Sequence, residues 1–140
     1  KLFLNKKIPS IVGLDHISYR INPIDRWFNF YFEAKERGLD PLWTINHGWI
    51  SGIYYKDPDG NLVEIFFEHF SSAEEFKSNI SPDFEDEPIG TNMDVEVLYE
   101  MYKAGSDFSE LITKGNTVPE GKKPVSGFDA VVNMKKKFKD

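Results

Sequence analysis

Cysteine is absent from this 140-residue chain, which excludes a disulfide scaffold, thiolate zinc sites and thiol nucleophiles. Any metal would have to be held by histidine, carboxylate or water. Histidine is itself scarce, with only His16, His47 and His69 present. No apolar run approaches the about 18 residues that a membrane-spanning helix needs, and Leu2-Phe3-Leu4 is too short for the apolar core of a signal peptide. An excess of basic charge is also missing. The 17 Lys and Arg residues against 23 Asp and Glu leave a formal charge of −6, which argues against general binding to a nucleic-acid backbone. Only residues 135–139 are locally basic. The expectation is a soluble, cytoplasmic protein without nucleic-acid or membrane partners.

What is present is apolar mass for a core, at 40% hydrophobic and 15% aromatic residues, in a length suited to one compact domain. Residues 13–21 read as a strand, because Ile17, Tyr19 and Ile21 alternate with His16, Ser18 and Arg20. The period of two places His16 and Ser18 on one face, opposite the apolar set. Asn22-Pro23 then reads as a helix start, with Asn22 as the cap, and Gly38 as its stop. Ile24, Trp27, Phe28, Tyr31 and Phe32 form the apolar stripe of a helix lying on a sheet. Residues 42–45 read as a second strand, Asn46-His47-Gly48 as a bend, and residues 49–56 and 61–68 as two further strands. Asp57-Pro58-Asp59-Gly60 joins the last two as a turn.

The order β-α-β-β-β predicts an α+β fold, with an antiparallel-rich sheet and one helix on one face. Residues 1–11 read as a linker, 12–70 as the module, 71–117 as a helical extension and 118–140 as a polar, basic tail. In the extension, Ser72 and Glu75 have capping-box spacing, and Asp94 can cap a helix ending before Gly105.

Chemistry concentrates in the module. In the fourth strand Leu62, Glu64 and Phe66 share a face, and a carboxylate among apolar residues is costly to bury unless a cation or donor compensates it. His16 and Glu64 are the candidate metal ligands, against the plainer readings of a hydrogen-bonded strand histidine and an exposed glutamate. His69 reads as a surface residue.

The run from His47-Gly48-Trp49 through Tyr54 and Asp57-Pro58-Asp59-Gly60-Asn61 to Glu64 resembles the closing half of a module of the vicinal oxygen chelate superfamily. That superfamily includes glyoxalases, bleomycin-resistance proteins and extradiol ring-cleaving dioxygenases. Gly13-Leu14-Asp15-His16-Ile17-Ser18-Tyr19 is similar to the module's opening strand. With Glu87-Pro88-Ile89-Gly90 and the helix after Met93, the chain most resembles small dihydroxybiphenyl-type extradiol dioxygenases.

The resemblance implies Fe(II) held by His16 and Glu64, with His47 in acid-base work and Tyr54 as the active-site tyrosine. Mn(II), Zn(II) or Ni(II) would suit a glyoxalase-like lyase or isomerase instead. Two imidazoles and one carboxylate leave positions open for a small catecholic substrate and dioxygen, in the degradation of aromatic compounds. A neutral histidine, with its ordinary pKa of about 6.5, can take up the diol proton.

The resemblance also implies a site built between two paired modules, half of a barrel each, with the first ligand in the other module. Residues before His16 are too few to form one. The missing ligand is expected from a lost amino-terminal module, from a second copy in a homodimer, or from nowhere. The last case would leave a non-catalytic binding module. Trp43, Trp49 and Phe66 are the expected pocket walls.

Overall fold

The computed structural model describes residues 14–79, 84, 87–127 and 129. The linker reading of 1–11 and the basic run 135–139 fall outside the described residues. The chain runs β1 (Ile17–Arg20), α1 (Ile24–Glu36), β2 (Trp43–Asn46), β3 (Ile50–Lys56), β4 (Leu62–Glu68), α2 (Ala73–Asn79), β5 (Thr91–Asn92), α3 (Val95–Lys103) and α4 (Phe108–Ile112). Its strands form one sheet in the order β1-β4-β3-β2-β5. β1 lies parallel to β4, and the other pairs are antiparallel. The α+β class and the β-α-β-β-β order match the expectation, and β5 adds a strand too short for any periodicity to reveal. None of the described helices is long and apolar enough to cross a membrane.

The turn between β3 and β4 forms as its residues dictate. Gly60 has φ of +90° and donates to the Asp57 carbonyl at 3.0 Å, while the Asp57 side chain accepts from the Asn61 backbone at 2.7 Å. This turn closes the pairing in which Tyr54 lies opposite Glu64 and Ile53 opposite Ile65.

One face of the sheet is covered by helices. Trp27 of α1 is fully buried and donates its indole N–H to the Ile65 carbonyl at 3.0 Å. Phe28 and Tyr31 of α1 pack with Ile53, Ile65 and Phe67 of the sheet, and Val95, Leu98 and Leu111 close the cluster. Asp94 caps α3 through bonds from the Glu96 and Val97 amides, as expected from its position. Ser72 likewise accepts from the Glu75 amide at the start of α2. Gly90, at φ +98°, lets the chain entering β5 approach β2 so closely that a Cβ there would meet the Asn46 carbonyl at 2.1 Å. Beyond β5, Ser126 bridges to Thr91 and the Val125 carbonyl accepts from the Asn92 amide.

Three expectations require correction. Asn22 does not cap α1. Its side chain instead accepts from the Glu68 amide at 3.1 Å, and the residue at the cap is Pro23, without a side-chain bond. Ile17 and Tyr19 of β1 are 39% and 55% exposed, since β1 is the sheet's edge strand and its apolar positions lie outside the helix-covered core. His69 is not a surface residue. The period of β4 carries it past Glu68 to the same side as Ile65 and Phe67, where it is 4% exposed and its Nε2 lies 2.9 Å from Ser51 Oγ.

Burial pushes the His69 imidazole from 6.5 down to about 3. The unfolded chain therefore binds this proton before the folded one does. The stability associated with neutral His69 should be complete above pH 6.5 and lost progressively as the pH falls towards 3. Urea denaturation of wild type and His69→Leu across that interval measures it. The wild type should lose up to about 1.4 kcal/mol per pH unit more than the variant.

Candidate metal site

Glu64 sits at the middle of β4, flanked by β1 and β3. Alternation turns it away from the helix-covered face, and the registers set Ser18 beside it on one side and Tyr54 on the other. It is only 3% exposed. Ser18 Oγ donates to Glu64 Oε2 at 2.6 Å. Glu64 Oε1 is buried and has no hydrogen-bond partner.

Two histidines approach this carboxylate. His16 Nδ1 lies 2.9 Å from Asp15 Oδ2, so this nitrogen carries the hydrogen and donates it to the carboxylate. Its Nε2 lies 3.4 Å from Glu64 Oε2. His47 Nδ1 lies 2.6 Å from the carbonyl of Ile89, which can only accept. Its Nε2 faces Glu64 Oε1 at 3.6 Å, too far for a hydrogen bond. Both rings thus turn their Nε2 atoms towards a carboxylate that can only accept, an arrangement made favourable by positive charge, as a proton on an imidazole or as a cation.

The sequence-derived candidates His16, His47, Tyr54 and Glu64 therefore lie together. The His16 and Tyr54 rings are 5.4 Å apart, edge to face. Burial by itself would push the Glu64 carboxyl up, but polar contacts from His47, Ser18 and Tyr54 outweigh it and hold the group below its ordinary value. Burial pushes the Tyr54 phenol up, and the Glu64 charge adds to the effect. Trp43 lies against Tyr54 at 5.1 Å between ring centroids, and its ring is 6.4 Å from His47. Trp49, expected as another wall, instead lines an open cavity of about 590 Å³ with Phe70, Phe76 and Phe84.

Three participants were not singled out from sequence. Ser18 shares the face of His16 in the period-two pattern, which was visible, but a serine on a strand has no signature of its own. Asp15 is adjacent to His16, and only the side-chain geometry reveals the bond. The Ile89 carbonyl is a backbone group brought in by the approach to β5, and no residue type announces it.

Among the described residues no three His, Cys, Asp or Glu side chains are grouped so as to hold a metal ion. His16 and His47 address different oxygens of Glu64, so the ready-made pair is His16 with Glu64. Nitrogen and oxygen donors sit about 2.0–2.2 Å from a divalent ion, which puts neighbouring donors about 3 Å apart. The 3.4 Å between His16 Nε2 and Glu64 Oε2 is close to that spacing. A partnerless buried Oε1 and a histidine oriented through its other nitrogen by a carboxylate also fit a cation.

Biphenyl-2,3-diol 1,2-dioxygenase 3 of Rhodococcus globerulus is 31% identical over 112 residues, 79% of this chain and 59% of the relative. Biphenyl-2,3-diol 1,2-dioxygenase 2 of the same organism is 28% identical over 111 residues, 79% of this chain and 58% of the relative. The matched region thus spans less than two thirds of these relatives' own length. These similarities support the resemblance to extradiol dioxygenases and to the vicinal oxygen chelate superfamily. No family model matches the chain. No solved structure matches it either.

Ser18→Ala should cost about 1–3 kcal/mol at neutral pH, because a buried carboxylate loses a donor. The bond stabilises the ionised form, so its contribution is present above the Glu64 titration and is lost as the pH falls through it. Urea denaturation of both proteins should show a gap at pH 7 that narrows in acid.

Proposed function

We propose that this chain supplies part of the active site of an extradiol-type, divalent-metal dioxygenase acting on a catecholic substrate. The observation that carries the reading is the pair of histidine Nε2 atoms turned towards a buried, underbonded carboxylate. A cation at that point would be held by nitrogen and oxygen donors together. His16 and Glu64 would hold the metal, with Fe(II) the ion favoured by the dioxygenase relatives. Bound Fe(II) supplies open coordination positions for the two diol oxygens and for dioxygen.

The remaining residues have roles that follow from their surroundings. His47, with its Nδ1 hydrogen committed to the Ile89 carbonyl, keeps Nε2 free to accept a diol proton. Tyr54, its phenol pushed up by burial and by Glu64, stays protonated and available as a donor to a developing oxyanion. Trp43 walls the ring side of the site. A third metal ligand comes from a paired module, either in a second copy or in another segment. Among the described residues no strand lies beyond β1, which follows directly on His16, and this supports such a pairing.

A second reading is favoured by one observation, the lack of a three-ligand group among the described residues. In that reading the chain is a binding module whose Glu64 is compensated by a protonated histidine alone. A glyoxalase-like lyase would use the same two ligands but neither iron nor dioxygen.

Anaerobic loading with Fe(II), metal analysis and an assay with biphenyl-2,3-diol in air separate these readings. Bound iron and a yellow ring-fission product are expected, both lost in Glu64→Gln. Iron binding without dioxygen consumption would favour the lyase reading. Absence of both metal and product would overturn the enzyme reading for this chain.

A further inference from the structure

Gly52 occupies the interior of β3, where a glycine has no side chain to pack and weakens the strand. Its φ is not positive, so no backbone conformation requires it. It is buried, and its cross-strand partner is Phe66, which makes it the diagonal neighbour of Glu64 on the same face. A Cβ at Gly52 would lie 2.4 Å from Glu64 Oε1, 3.3 Å from Cδ and 3.4 Å from Cγ. The carboxylate lies across the space that any other residue at this position would fill.

We propose that Gly52 is a positioning residue for the metal-binding carboxylate, its missing side chain being the slot that holds Glu64 against β3 with Oε1 beside His47 and Oε2 towards His16. The inference rests on the metal reading above. It concerns a residue that touches neither metal nor substrate and acts only through Glu64. Alanine at 52 is compatible with the strand, and the atom it meets is the end of a flexible side chain. Gly52→Ala should therefore fold, with the carboxylate pushed out of the slot and off its line to His16.

Mn(II) titration of the chain, with thermal melting as the control, provides the test. Wild type should bind Mn(II), and Gly52→Ala, still melting in one cooperative transition, should bind at least about tenfold more weakly, equal to about 1.4 kcal/mol. A double-mutant cycle with Glu64→Asp adds a readout that general damage would not give. The shorter acid withdraws from the new Cβ, so the two losses should be markedly less than additive. A crystal structure of Gly52→Ala should show the displaced carboxylate. Equal Mn(II) affinity in wild type and Gly52→Ala, or additive losses, would overturn the role of Gly52 while leaving the metal reading intact. Mn(II) binding that is undetectable in wild type, or unchanged in Glu64→Gln, would overturn the metal reading itself.

Discussion

A charged carboxylate, 3% exposed in the middle of a strand with neighbours on both sides, is the constraint around which this molecule is arranged. An uncompensated charge in such a place would cost several kcal/mol. The neighbouring elements each contribute part of an answer. β1 brings the Ser18 hydroxyl, β3 brings Tyr54 and a bare backbone at Gly52, and the bend after β2 brings His47. Even so, one oxygen remains without a donor. A fold that needed only stability would place a leucine there.

The supporting structure is ordered by how directly it fixes Glu64. The Asp57–Gly60 turn sets the β3–β4 register, and a slip by one residue would send Glu64 to the helix side and Ile65 to the open side. Trp27 holds β4 from beneath through the Ile65 carbonyl. The approach at Gly90 brings the Ile89 carbonyl to His47 and so decides which nitrogen of that ring faces the carboxylate. Core packing and site chemistry are joined at these few backbone positions.

Much of this was legible in the residues, for reasons that also explain what was not. Alternation set His16 beside Ser18 in β1 and Glu64 between Leu62 and Phe66 in β4, because strand periodicity is local, whereas Tyr54 and His47 entered only through the family resemblance. His69 was misread because alternation continues one residue past the strand's visible end, and burial there depends on helices distant in sequence. Asn22 was misread because two claims competed for its side chain, the α1 amides and the Glu68 amide, and only the assembled sheet decides between them. The Asp15 and Ile89 bonds that orient the two imidazoles depend on side-chain and backbone geometry rather than residue type. β5 was missed because two residues carry no period.

The two margins of the sheet are unequal. On the β5 side the chain itself closes the sheet, through the Thr91 to Ser126 bridge and the Asn92 to Val125 hydrogen bond. On the β1 side, among the described residues, nothing follows Ile17–Arg20. The described part of the sheet is thus asymmetric: the β5 margin is spent on the chain's own backbone, while the strand that follows His16 carries the margin whose N–H and C=O groups a further strand could pair with.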